Sequence, residues 1–211
     1  QEQQELLNIV IVGGGATGIE VAGILSEMKK FVLPNDYPDM SSSLMHIYLI
    51  EAGPRLLAGM SEESSAHAEQ FLREMGVNIL LNKRVVDYRD HKVVLEDGTE
   101  IATRTFIWVS GVTGVTIGNL DASLIGRGGR IKVDSFNRVE GMNNVFAIGD
   151  QCIQLADENY PNGHPQLAQV AIQQGELLAK NLIRMEKGQE MKPFHYRNLG
   201  SMATVGRNRA V

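Results

Sequence analysis

Three short stretches carry residues whose types and spacing could do chemistry. The first is Gly13-Gly14-Gly15-Ala16-Thr17-Gly18, a G-x-G-x-x-G string. It follows the apolar run Asn8 to Val12 and precedes a stretch with helical spacing. That context turns a weak string into a dinucleotide-binding fingerprint. Gly13 permits a tight turn, Gly15 lets backbone approach a pyrophosphate, and Gly18 lets the helix pack close to the sheet. The helix N-terminus then offers free N–H groups and a positive dipole end to phosphates. Glu51 ends a second apolar run, His46 to Ala52. An acid there accepts hydrogen bonds from an adenosine ribose, although it lies 33 residues past Gly18 rather than the usual 20 or so. A carboxylate repels a 2′-phosphate, so NADH is expected over NADPH, with Arg55 as the nearby cation that could tolerate a phosphate. Glu20 sits in what reads as the first turn of the fingerprint helix, where the helix dipole alone would favour an acid.

The second stretch is Val145 to Cys152, "VFAIGDQC". It reads as a buried strand ending in Gly149-Asp150, and a glycine with a carboxylate at a strand edge suits a ribose or ribityl group. The third is His164 to Asn181, where Gln166, Gln169, Gln173 and Gln174 cluster near the start of a predicted helix. Gln169 and Gln173 share a face. Amides donate and accept hydrogen bonds, which suits a carbonyl- and N–H-rich ring such as flavin or quinone, and the small Ala168 and Ala171 would allow close approach. A solvated Gln-rich helix start explains the same composition equally well. His164 reads as a loop residue. No His, Cys or carboxylate is spaced around it as a metal site requires, and there is no Ser-His-Asp arrangement.

The elements that must position these residues follow from periodicity. Residues 19–30 have helical spacing, with Ile19, Ala22, Gly23 and Leu25 to Met28 facing inward. Phe31 to Ser43 is rich in Pro, Asp and Ser and reads as an irregular insertion, long enough to absorb the excess spacing to Glu51. Ser61 is a predicted N-cap, with Glu62 and Glu63 beside the positive helix end, and Gly76 closes that helix. Residues 77–81 form a third strand. Turn signals at Arg89-Asp90 and Asp97-Gly98 predict a small antiparallel meander ending in a strand, Thr105 to Val109. Pro165 occupies the expected first position of a long helix running to about Lys187.

Composition narrows the classes. A chain of 211 residues with 43% hydrophobic residues can form one large domain or two small ones. The formal net charge of −5 gives no basic surface for nucleic acid. Cys152 is the single cysteine, so an internal disulfide, a Cys-x-x-Cys pair and a cysteine metal cluster are excluded, and a reducing compartment fits. No apolar run reaches the roughly 18 residues of a membrane span. The polar start without Met suggests a piece of a longer chain.

The motif order "VIVGGGATGIEVAG", "IYLIEAGPRLL", "FIWVSGVTG", "GRIKVDSF", "NVFAIGD" and "PQLAQVAIQQG" resembles two-dinucleotide flavoprotein reductases. It is most similar to type II NADH dehydrogenase, the single-subunit NADH:quinone oxidoreductase of respiratory membranes. "AQVAIQQG" also matches that family's A-Q-x-A-x-Q-x-G signature. The resemblance implies an α/β chain with a Rossmann-like NAD-binding domain and small antiparallel β-meander (1–112). The second part of a split FAD-binding domain (113–190) and the start of a C-terminal region (191–211) would follow. It implies that Gly13, Gly15, Gly18 and Glu51 hold NAD(H), with Glu20 and Gly111 near the nicotinamide. Gly149 and Asp150 would hold FAD, and Ala168 and Gln169 would border the isoalloxazine. Gln169 and Gln173 would face quinone as the catalytic pair. Hydride would pass from NADH to FAD and electrons then to quinone.

On this reading the other half of the FAD site precedes residue 1 and a membrane-binding portion follows residue 211. The parent protein would be peripheral on the cytoplasmic face of the inner membrane. The 211 residues would be soluble and inactive alone, and would self-associate, with exchange of residues 131–187, to cover apolar surface. The alternatives are an NAD(H)-binding module without catalysis, or another reductase of the same fold with ferredoxin, oxygen or a disulfide as acceptor.

Overall fold

In the computed structural model, which describes residues 2–115 and 117–211, the run Asn8–Val12 is buried along its whole length. Successive strand side chains point to opposite faces, so such a strand needs cover on both sides. Ile9 and Ile11 join one apolar cluster, and Val10 and Val12 join another. The elements of this first unit, Gln1–Gly111 with Ser201–Val211, run α1 (Glu2–Leu7), β1 (Asn8–Val12), α2 (Ala16–Glu27), a π-helical turn Met28–Val32, α3 (Leu33–Asp36) and β2 (His46–Ile50). They continue with α4 (Glu62–Glu74), β3 (Val77–Leu80), β4 (Val85–Arg89), β5 (Lys92–Leu95), β6 (Glu100–Ala102) and β7 (Thr105–Trp108).

The four parallel strands lie in the order β3-β2-β1-β7. Helices α2 and α4 and the C-terminal residues Ala203 and Val205 cover the Ile9/Ile11 face. The antiparallel meander β4-β5-β6 covers the other, through Val93, Leu95 and Ile101. The strand after the meander thus leaves it and pairs in parallel with β1, Val12 opposite Trp108. Ser61 caps α4 as expected, its Oγ accepting the Ser64 N–H at 3.1 Å, and Gly76 follows in the left-handed region.

Two expectations for this unit are corrected. The insertion is helical through Asp36: α2 widens into the π-helical turn and continues as α3. Pro34 is tolerated there because it falls in the first turn of α3, where a missing N–H costs little. The inner face of α2 ends with Ser26, whose hydroxyl donates to the Ala22 carbonyl, and Met28 is exposed.

The second unit, Val112–Gly200, contains β8 (Ile131–Val133), β9 (Cys152–Gln154) and α5 (Ala168–Glu186). β8 and β9 pair in parallel, and Ile131, Val133, Val139 and Cys152 form a small core. Here Val145–Ile148 does not form the expected strand. Its bonds run irregularly to residues 137–139, Val139 N–H to the Val145 carbonyl and Ala147 N–H to the Asn137 carbonyl, around a single bridge at Phe146. Without a neighbour to take a full ladder, the run stays extended and Val145 is exposed. Helix α5 starts at Ala168 rather than Pro165, because the Leu167 N–H turns back to the Pro165 carbonyl.

Candidate nucleotide site and its supporting residues

Register brings the first site together. Val12 stands opposite Ile50, so Glu51 emerges beside Gly13 despite the long intervening sequence. Gly13 has φ +119, and a side chain there would lie 2.9 Å from the Val109 carbonyl. At Gly18 a Cβ would overlap the Gly13 carbonyl oxygen. At Gly15 it would meet nothing within 4 Å, so this face of the turn is open. Gly15 is the N-cap of α2, and no side chain caps that end, which leaves it suited to an anion.

Glu51 is held in place by backbone. Its Oε2 accepts the Gly14 N–H at 2.7 Å and its Oε1 the Gly53 N–H at 2.7 Å. Gly14, a free position in the fingerprint, is closely enclosed here. A Cβ on it would come within 2.7 Å of the Leu56 side chain and 3.0 Å of Glu51. The run of three glycines was the signal for it. Arg55 does not point its charge into the open face. Its guanidinium donates to the carbonyls of Ala58 (2.8 Å), Met60 (3.0 Å) and Ser61 (3.4 Å). Glu20 is the fifth residue of α2 and lies past the first turn, so the helix dipole does not account for it. Its Oε1 accepts from Thr204, N–H at 3.4 Å and hydroxyl at 3.3 Å. Gly111, just past β7, has φ +83 and is exposed.

In the second unit, Gly149 opens a 3-10 turn at φ +65 and lies so close to α5 that a Cβ would be 3.2 Å from that of Ala171. Its N–H donates to Gln174 Oε1 at 2.6 Å. Gln174 is buried and also receives the Cys152 Sγ at 3.7 Å. Burial pushes the Cys152 thiol up from its ordinary pKa. Gln174 is thus an internal prop for the Gly149-Asp150 turn, unlike its neighbours in sequence. Asp150 is exposed, and its carbonyl accepts from the Gln166 amide, which precedes the helix.

Gln169 and Gln173 share the expected face of α5, next to Ala168 at its first position. Both amides pair with backbone of residues 197–200. Gln169 donates to the Gly200 carbonyl and accepts the Leu199 N–H, both at 3.0 Å. Gln173 donates to the Arg197 carbonyl at 2.9 Å and accepts its N–H at 3.0 Å. Asn181 does the same with Lys192, at 2.8 and 2.9 Å. Three amides on one helix therefore hold an extended segment that belongs to no sheet.

The sequence missed one buried pair. His164 is 1% exposed, and its Nε2 lies 3.0 Å from Asp157 Oδ2. Tyr160, Phe194 and Tyr196 surround the ring at centroid distances of 5.1–5.9 Å. Arg130 donates to the carbonyls of His164 and Cys152. The hydrogen bond from His164 holds the Asp157 carboxyl below its ordinary pKa, with the Asn159 N–H adding to it. No spacing rule marks this pair, because its partners come together only through the fold.

Comparison with known proteins adds to this geometry. Residues 1–175 match the family described as pyridine nucleotide-disulphide oxidoreductase. The type II NADH:quinone oxidoreductase NdhA of Mycobacterium tuberculosis is 34% identical over 100% of this chain and 46% of its own length. The type II NADH:quinone oxidoreductase of Haemophilus influenzae is 32% identical over 94% and 45%. The chain therefore spans about half the length of the curated relatives it matches. Among solved structures, NDH2 from Plasmodium falciparum in complex with NADH shares the fold, with a TM-score of 0.87 at 20% identity over 99% of this chain and 57% of that one. With strand, glycine turn, helix and acid in this order and a family match over residues 1–175, the chain belongs to the pyridine nucleotide-disulphide oxidoreductase family.

Proposed function

We propose that these residues are part of an NADH:quinone oxidoreductase: an NADH-binding domain, the second portion of a split FAD-binding domain, and the start of a C-terminal region, with boundaries at 1–112, 113–190 and 191–211. The observation that carries the nucleotide reading is the Glu51 carboxylate, fixed by two backbone N–H groups beside an open, uncapped glycine turn. The space over Gly15 fits a pyrophosphate, and the carboxylate fits a ribose diol. Glu20 and Gly111 stand on the nicotinamide side of this assignment.

Calorimetric titration of the chain tests it. NADH should bind, and NADPH should bind at least about tenfold more weakly, because the 2′-phosphate meets a carboxylate that cannot turn away. Glu51→Ala should lose most of that preference. Equal affinity of the unaltered chain for the two nucleotides would sink the assignment.

For FAD, the residues that fit are Gly149 and Asp150, at a left-handed turn with an exposed carboxylate, and Ala168 with Gln169 at the start of α5. When bound, FAD supplies the redox chemistry between NADH and quinone. The protein's own groups bind and orient. Gln169 and Gln173 each spend one amide N–H and the amide oxygen on the backbone of residues 197–200, so the second N–H of each amide is the donor left for a quinone carbonyl. The type II relatives named above, NADH:quinone oxidoreductases, support the quinone over ferredoxin, oxygen or a disulfide. The site for FAD is incomplete on this reading, so tight binding to residues 1–211 is not expected.

The parent protein is placed peripherally on the cytoplasmic face of the inner membrane. Among the described residues no helix is long and apolar enough to cross a membrane. The second unit exposes Val145, Leu155, Ile172 and Ile183. Self-association of the chain is the proposed cover. Light scattering at high protein concentration should give a mass above 23.2 kDa, and a monomeric mass would refute it.

A further inference from the structure

The loop Gly53 to Ser61 braces the glycine turn, and Arg55 closes that loop on itself. Its two terminal nitrogens reach three carbonyls, those of Ala58, Met60 and Ser61. Inside the closed loop, Leu57 has φ +47, a left-handed conformation that leucine keeps only when its surroundings hold it. In that conformation the Leu57 N–H donates to the Gly14 carbonyl at 2.8 Å. The loop is pinned from below as well: the Ser65 hydroxyl donates to the Leu56 carbonyl at 2.6 Å, and both leucines are buried. Gly14 in turn donates its N–H to Glu51. The Met60 N–H donates to the Leu57 carbonyl at 2.8 Å, so a line of bonds leads from the guanidinium through Met60, Leu57 and Gly14 to the acid.

We propose that Arg55 is a positioning and specificity-determining residue of the nucleotide site. It clasps the loop that sets Gly14 and Glu51, and the clasp withholds its charge from a 2′-phosphate. This rests on the NADH reading above. An arginine near the end of the second strand is the usual means of accommodating NADPH. Here the planar fork of donors is spent on loop carbonyls. Arg55 therefore favours NADH twice, by fixing the carboxylate and by being unavailable. Lysine could not replace it, since one ammonium cannot span three carbonyls in the guanidinium's geometry.

The test uses the 211-residue chain, titrated with NADH and with NADPH, and amide exchange at Leu57. Arg55→Ala should weaken NADH binding about tenfold and deprotect the Leu57 N–H, and Arg55→Lys should rescue little of either. In a Glu51→Ser background, which admits NADPH, adding Arg55→Ala should leave the NADPH-to-NADH affinity ratio within about twofold. A tenfold fall in that ratio would show that Arg55 leaves the loop to grip the phosphate, and would overturn the specificity claim. Unchanged NADH affinity and unchanged Leu57 protection in Arg55→Ala would overturn the clasp. Where Arg55→Ala does not fold, Arg55→Gln, which also removes the charge, gives the same readings. A folded, unaltered chain that binds neither nucleotide overturns the NADH reading and the specificity claim with it, and Leu57 exchange then decides the clasp separately.

Discussion

Gly18→Ala is expected to abolish NADH binding and to destabilise the first unit by about 2–3 kcal/mol. The added Cβ would fall on the Gly13 carbonyl oxygen. A flexible side chain could yield to it, but this neighbour is backbone. Gly13 is itself tied to the sheet by its N–H bond to the Ile50 carbonyl at 2.9 Å. The helix must therefore lift off the strand, which moves the N–H groups that would meet the phosphates. Thermal unfolding should shift down by roughly 10 °C, and calorimetry should show no saturable heat with NADH. Gly15→Ala is the control. Its Cβ meets nothing within 4 Å, so stability should be nearly unchanged while nucleotide affinity falls, because the methyl occupies the space left for phosphate. A Gly18→Ala chain that binds NADH normally would show that the turn is not the nucleotide site.

His164→Phe should cost the second unit about 3 kcal/mol. Phenylalanine preserves the contacts with Tyr160, Phe194 and Tyr196 but removes the bond to Asp157, whose side chain is 5% exposed. That carboxylate would be left with Asn159 as its partner. Asp157→Asn should cost less and should change the pH dependence. The folded-state pKa of Asp157 lies below its ordinary value. Its contribution is therefore complete above the unfolded pKa, about 3.9. It is lost as pH falls below that value and through the folded pKa. Urea unfolding between pH 3 and 7 should show this acid loss in the unaltered chain and a shallower one in Asp157→Asn. Identical slopes in the two would remove Asp157 from the account.

What the sequence disclosed depended on how local the cause was. β1 was legible because five consecutive apolar residues can be buried only from both faces. The α4 cap was legible because a serine side chain bonds three residues along its own chain. The glycine turn was legible for the same reason, up to Gly14, whose enclosure arises from Leu56 and Glu51 approaching from elsewhere. Val145–Ile148 misled because apolar β-branched composition records a preference, while a strand requires a neighbour to share its hydrogen bonds. Phe31–Asp36 misled in the opposite sense: proline discourages a helix interior but is compatible with a first turn, which is where Pro34 falls. The Asp157–His164 pair and the amide contacts of α5 had no signal in spacing, since each joins a helix or loop to a segment of no distinctive pattern.

The paired contacts of Gln169, Gln173 and Asn181 have a consequence for how related sequences should be compared. Each reads the main chain of residues 192–200, and the main chain is the same whatever side chain it bears. The path of that segment is therefore written on the helix as well as in the buried side chains of Phe194 and Tyr196. Identity at positions 192, 197 and 199 could drift, proline excepted, while the path stayed fixed, and Gly200 is held to its type by its φ of +92; a gap of one residue would break every pair beyond it. Insertions and deletions here, more than substitutions, record whether a relative keeps this arrangement.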